Sequence, residues 1–311
     1  MDDVINLSRA ERAEKLRIEG IKAQRKEAKE NAKRDAEERK KKPKEQEKDF
    51  LEGLFERIKD DELPTEEFED NLIAPPKPDE AMFYGFVGEV ARIAATGTEI
   101  NKVSAALAYM SFLSANVGRD TFMMINNTVH HPRLYTMHIG SSAMGGKGDS
   151  QQLTHRIRKH IDASESGLLC QTHTGGLSSR EGLASLIHDG YGESPAIIDK
   201  RLWIIESEFS NVLHQARRDG NTLSSALREV WDGGDIKPAT KSKPFGVTAP
   251  HIAIHANITP GELRSLLSSR DISNGFSNRF FMIHAENTGL VPYPEPTPEK
   301  DIIRLSTKTR E

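Results

Sequence analysis

Lys147 sits among small residues in the stretch LYTMHIGSSAMGGKGDS, residues 134–150, whose types and spacing suit the binding of phosphate. The apolar run 134–139 reads as a strand, the glycines and serines after it as a loop, and QQLTHRIRKHI, from Gln151, as a helix. Glycines let successive backbone N–H groups turn toward one anion, and the helix N-terminus adds a positive partial charge. On this reading Lys147 is the phosphate lysine, and the backbone of Ser142, Gly145, Gly146 and Gly148 lines the anion. The usual pattern is a glycine, four residues, then Gly-Lys-Ser/Thr. Here Ser141 holds the first position and Gly148 follows the lysine, so Asp149 or Ser150 would have to supply an oxygen to Mg²⁺. A Gly/Ser loop with one lysine is equally an ordinary loop, and the remaining chemistry must decide.

Glu206 and Glu208 close the segment KRLWIIESE, in which Leu202, Trp203, Ile204 and Ile205 form a continuous apolar run. Such a run fits a strand of a parallel sheet buried on both faces, and carboxylates at its C-terminal end lie where open α/β sheets bind ligands. In a phosphate-loop ATPase one acid there supports Mg²⁺ and its waters, and another orients or deprotonates the attacking water. A strand that merely ends in surface glutamates has the same sequence. Asn257 ends the alternating segment PHIAIHANITP, where a polar side chain can contact a terminal phosphate or the attacking water. Arg279 precedes the apolar run FFMI, a place from which an arginine can stabilise transition-state charge, often in a neighbouring subunit's site.

The elements that would position these residues follow from periodicity. Residues 79–118 carry two helical patterns separated by Thr96-Gly97-Thr98-Glu99, the second with Val103, Leu107, Met110 and Leu113 at helical spacing. TFMMIN (residues 121–126) and residues 134–139 read as strands, with His130-His131-Pro132 as the turn between them. The adjacent histidines lack further ligands at metal-site spacing. GLLCQTH reads as a short strand, and Ser178 with Glu181 has capping-box spacing at the start of the next helix.

Outside this region the chain changes character. Residues 1–48 form a charged arm, helical or disordered, ending in the basic run 39–44, where contact with nucleic acid or a partner protein competes with a solvated helix. Residues 49–78 hold a short amphipathic helix, with Phe50, Leu51, Leu54, Phe55 and Ile58 on one face, and a Pro-rich linker. Residues 79–290 form the main domain, and residues 291–311 a Pro-rich tail. The 311 residues carry a formal net charge of −4, so no global basic signature marks a nucleic-acid binder. Cys170, the single cysteine, excludes a disulfide framework and a cysteine zinc site. No run reaches the ~18 apolar residues of a membrane span, and the N-terminus lacks the apolar core of a signal peptide, which points to the cytoplasm.

From residue 82 to 294 the chain resembles the helicase-like P-loop proteins of phages, plasmids and other mobile elements, often fused to a primase. The resemblance rests on six blocks in order: GSSAMGGKGDS, GGLSSREGL, DKRLWIIESEF, GNTLSSALREVWDGGDIK, HIAIHANITPGEL and NGFSNRFF. In that family the loop usually reads as serines, a basic residue, Lys-Gly, then Thr-Ser. Lys147 and Ser150 match, whereas Gly146 stands at the basic position and Asp149 replaces the threonine. The resemblance implies a three-layer α/β core, RecA-like or AAA-like, with a mostly parallel sheet, that binds ATP and Mg²⁺ and acts on DNA. Ser150, Asp149 and Glu206 would attend the metal, Glu208 the water, Asn257 the terminal phosphate, and Arg279 a neighbouring site. It also implies a homo-oligomer, hexameric rings included, and single-stranded or forked DNA and a primase or replication protein as partners. His214, Arg217, Arg218 and Arg228 fall in a helical portion, and the glycine turn at 232–235 with Lys237, Lys241 and Lys243 would suit a loop tracking a phosphate backbone, or an ordinary exposed hairpin. Two other readings stay open: a nucleotide switch that does not hydrolyse, and a DNA-binding assembly protein with a vestigial loop.

Overall fold

Two helices open the described chain, and their ends are written in the sequence. The structure, a computed structural model, describes residues 77–142, 145–218, 220–237 and 245–311. The arm, the short amphipathic helix and the linker as far as Pro76 lie outside the described residues, as do Lys241 and Lys243. Helix α1 (Gly85–Ala95) runs to the Thr96-Gly97 turn. Helix α2 (Lys102–Val117) is capped by Asn101, whose side chain accepts from the Val103 amide, and it stops at Gly118, where φ is +73°. Of the expected stripe on α2, Leu107 is buried and Leu113 packs against the core, but Met110 does not follow it. Met110 is exposed, and Ala105, Ala108, Tyr109, Phe112 and Ala115 face inward with Ser104 and Ser111. Small residues let the helix lie close against the sheet.

A hairpin of β1 (Met123–Ile125) and β2 (Thr128–His130) follows, paired antiparallel and exposed along both strands. TFMMIN is therefore a strand, but outside the main sheet, and His130 belongs to its partner strand rather than to a turn.

The main sheet is five-stranded and all parallel. In chain order its strands are β3 (Tyr135–Ile139), β4 (Gln171–Thr174), β5 (Arg201–Glu206), β6 (His251–Ile258) and β7 (Phe280–His284). In space the order is β4-β5-β6-β3-β7, so β6 separates β3 from the acid-tipped β5. All eight residues of β6 are buried, as its central position requires. β4 starts later than the apolar run GLLC suggests, because Cys170 packs into the core while Gln171 begins the pairing with Leu202.

Helices cover both faces. On one lie α1, α2, α3 (Gln152–Ser164) and the C-terminal α9 (Glu299–Arg310), packed on Trp203, Ile205 and Ala253. On the other lie α4 (Arg180–Ser185), α5 (Phe209–Ala216), α6 (Leu223–Trp231) and α7 (Pro260–Leu266), packed on Tyr135, Met137, Leu202, Ile204, Ile252 and Ile254. A short α8 (Ser269–Ser273) leads toward β7. Strand alternation divides β5 in this way, sending Trp203 and Ile205 to one core and Leu202 and Ile204 to the other. This three-layer arrangement is compatible with a RecA-like fold. Helix α4 is capped by Ser179, which accepts from the Gly182 amide at 3.0 Å, so the cap falls one residue after Ser178. The Pro-rich stretch after residue 290 leads into α9, whose Ile302 and Leu305 are buried, so the compact unit extends to Glu311. Among the described residues no helix is long and apolar enough to cross a membrane.

Candidate functional site

The loop that begins at Gly140 leaves the C-terminal end of β3, and its chain returns as α3 on one face of the sheet. The neighbouring β6 continues instead into α7, whose Leu266 packs on the other face. Adjacent parallel strands whose connections leave to opposite faces open a crevice beyond their C-terminal ends, where open sheets bind ligands. The loop occupies that crevice.

Three of its glycines, Gly140, Gly145 and Gly146, are sterically required. Gly146 has φ of +54°, and a Cβ there would collide with Asn287 Oδ1. At Gly140 a Cβ would lie 2.8 Å from the Ala285 carbonyl oxygen, and at Gly145 it would strike the carbonyl of Ser141. Gly148 has nothing within 4 Å of a Cβ and faces open space. The Gly145 amide donates to the Ser141 carbonyl at 3.0 Å and the Ser150 amide to the Gly146 carbonyl at 2.9 Å, which shapes the turn into α3.

Lys147 bends back over this loop. Its Nζ donates to the carbonyls of Gly140 at 2.6 Å and Ser141 at 2.9 Å. Burial pulls the ammonium below its ordinary range, while Glu286 and Glu262 nearby act in the opposite sense. Asn257 on β6 meets the same turn, its Nδ2 donating to the Lys147 carbonyl at 3.5 Å. Asn257 is 1 % exposed, and its Oδ1 has no hydrogen-bond partner among the described residues. His138, its register partner on β3, is also buried and holds Ala285 O at 3.0 Å through Nε2. Lys147 and Asn257, proposed from separate stretches of sequence, are thus brought together.

The remaining residues are distributed differently. Ser142, Gly148 and Asp149 are exposed at the loop, whereas Ser150 is buried and its hydroxyl donates to the Lys147 carbonyl at 2.9 Å. Glu206 is buried at the end of β5 and accepts from the Leu177 amide at 3.0 Å. It lines a cavity of about 340 Å³ with Thr174, Gly176, Leu177, Glu208 and Asn211, and no described residue of the 140–150 loop lines that cavity. Burial raises the Glu206 carboxyl above its ordinary range, and the Leu177 amide lowers it in part. Glu208 precedes α5 and accepts from Asn211 Nδ2 at 3.0 Å rather than ending the strand. Arg279 lies at the opposite edge of the sheet, bonded to Asp232.

Nucleotide phosphate and metal therefore fit unequally. A cradle in which Gly140, Gly145 and Gly146 leave no room for a side chain, with a lysine folded over it, suits phosphate. The expected metal set does not assemble: Gly148 offers no hydroxyl, Asp149 is exposed, Ser150 is buried under the turn, and Glu206 lies on a cavity that no described residue of the 140–150 loop lines. Among the described residues no group of three or more His, Cys, Asp or Glu side chains is placed to hold a metal ion.

Sequence reasoning passed over the wall of the loop, which comes from the segment after β7. Glu286 accepts from the amide and hydroxyl of Ser141, Asn287 fills the space above Gly146, and Glu99 with Asn101 ties this segment down. A signal existed: AENTG follows the strand FFMIH as Asn257 follows the apolar part of β6, with polar residues just past an apolar run. Compared with known families and curated proteins, the chain matches no family model and no curated protein.

Proposed function

We propose that the protein binds ATP through the 140–150 loop and acts on DNA as a helicase-like P-loop ATPase. The observation that carries the binding is the crevice between β3 and β6, where a side-chain-free cradle, Lys147 and Asn257 meet at the C-terminal edge of a parallel sheet. In this reading Lys147 leaves the carbonyls of Gly140 and Ser141 for a phosphate, the backbone around Gly146 and Gly148 donates to it, and Asn257 responds through the Lys147 carbonyl. The action on DNA rests on the order of the sequence blocks.

A second reading is favoured by a specific observation. Ser150 is buried under the Lys147 turn, and Glu206 opens on a cavity that no described residue of the loop lines. A nucleotide-dependent switch that binds ATP without turning it over needs only the phosphate half of the site.

Calorimetric titration of the full chain with ATP tests the binding, and Lys147→Ala is expected to abolish it. Unchanged affinity in that variant, folded by circular dichroism, would sink the site. Phosphate release measured with and without single-stranded and double-stranded DNA, alongside the mass in nucleotide, separates the two readings. DNA-stimulated release in a ring-sized assembly supports the motor, and binding without release supports the switch.

A further inference from the structure

The loop is not open to an anion as it stands, because a carboxylate of the same chain is already bonded to it. Glu286 Oε1 accepts from the Ser141 amide at 2.9 Å, and Oε2 accepts from the Ser141 hydroxyl at 3.0 Å. Ser141 is the residue at which the phosphate pattern begins, counted back from Lys147. A backbone N–H and a hydroxyl converging on two oxygens of one anionic group is the contact a phosphate would make there.

We propose that Glu286 is an internal anion that occupies the first donors of the loop and competes with the phosphates of an incoming nucleotide. The proposal rests on the reading of residues 140–150 as the nucleotide site. Lys147 fits it: instead of reaching outward, the ammonium lies against the carbonyls of Gly140 and Ser141, in the electrostatic range of Glu286. Burial works against ionisation of Glu286, but the two Ser141 donors, with His284 and Lys147 nearby, hold its carboxyl below the usual range, so the occupant is charged at neutral pH. His284 Nε2 stands 3.5 Å from Oε1.

The backbone that carries Glu286 is fixed, and its side chain is not enclosed. The Ala285 amide donates to Ile139 O at 3.0 Å, Asn101 Nδ2 to Glu286 O at 3.0 Å, and the Thr288 amide to Glu99 O at 3.0 Å. Asn287 Nδ2 donates to one oxygen of Glu99 at 3.2 Å and the Val291 amide to the other at 3.0 Å. The Glu286 side chain is 32 % exposed. A braced backbone with a partly solvated carboxylate lets the group rotate out without unfolding its segment. Phosphate and carboxylate cannot share one N–H, so each binds at the expense of the other.

The test compares ATP binding by the full chain and its Glu286→Gln variant, which keeps the side chain's shape and removes its charge. Binding about tenfold tighter in Glu286→Gln is expected, within the ~5–150-fold span of ordinary coupling between sites. Glu286→Asp, which retains the charge, is expected not to show that gain, and Glu286→Ala replaces Gln if Gln does not fold. Equal or weaker binding in the uncharged variant overturns the proposal and makes Glu286 a brace for Ser141. Lys147→Ala, measured beside it, keeps the two ideas apart. Loss of binding on removing Lys147 with no gain at Glu286 leaves the site standing and overturns the competition. Binding indifferent to both substitutions overturns both.

Discussion

Arg279 donates from Nη2 to both carboxylate oxygens of Asp232, at 2.9 and 2.7 Å, while its guanidinium lies 5.4 Å from the centre of the Trp231 ring. Its Nη1 also donates to Gly275 O at 2.8 Å. Arg279 precedes β7, and Tyr135 at the start of β3 pairs with Phe280, so the arginine stands at the N-terminal edge of the sheet. The 140–150 loop leaves the other edge. At ~3.3 Å per residue, the length of β3 puts roughly 20 Å between them, beyond the reach of an arginine side chain.

If Arg279 acts in the proposed ATPase, it can reach only the site of a neighbouring copy, and subunit mixing measures this. Full-length Lys147→Ala and Arg279→Ala chains are each expected to release no phosphate from ATP. Mixed, they should recover a substantial part of wild-type release, because one variant supplies the lysine and the other the arginine. No recovery from two folded variants would remove Arg279 from catalysis. Arg279→Ala alone should cost about 1 kcal/mol of stability, since Asp232 is half exposed and solvent screens the pair.

Glu206 gives a dependence on pH with a definite sign. Burial raises its folded pKa above the ordinary 4.5, so between 4.5 and that raised value the folded protein holds a proton that the unfolded chain has released. Its contribution is therefore complete at acid pH and is lost as pH rises through the folded value. Glu206→Gln keeps an acceptor for the Leu177 amide and removes this loss. Urea midpoints of the variant should equal or exceed wild type at pH 7 and fall relative to it near pH 4. A variant less stable than wild type at pH 7 would show that the ionised carboxylate has a partner that stabilises it.

The buried histidines act with the opposite slope. His255 is held down to about 3 and His251 to about 4, each chiefly by burial, with His138 and His155 facing the first and Arg133, His131 and Arg119 the second. Folded, both stay neutral while the unfolded chain takes up protons below the ordinary 6.5. Their contribution is complete above 6.5 and is lost as pH falls toward those values. Wild-type urea midpoints should drop between pH 7 and pH 5, and His255→Asn should drop less, even if it starts lower through loss of the Thr136 contact at 2.9 Å. An equal drop in the two proteins would mean that His255 is not the group that titrates.

Much of the fold was legible because its signals are local. A continuous apolar run is enough to mark β5, alternation marks β6, and a strand, small residues and a helix in sequence mark the crevice loop. Met110 misled because helical spacing records periodicity and not the width of the buried face; Tyr109 and Phe112, set among serines and alanines, took the inner face of α2 beside Leu107. β1 was legible as a strand but not as a member of a separate hairpin, since pairing partners are chosen in space.

For the site, the sequence by itself determined the residue types that can meet a phosphate: glycines free of side chains, a lysine among them, and a polar residue at the end of a buried strand. Tertiary structure decided their company. The strand order set β6 against β3 and so brought Asn257 to the Lys147 turn, while it left Glu206 bonded to Leu177 beside a different cavity. It also carried Glu286 onto Ser141, 145 positions away, a contact that no local pattern contains. The physical reason is that backbone conformation and burial tendency are carried by neighbours in the chain, whereas a charge finds its partner only once strands far apart in sequence have been laid side by side.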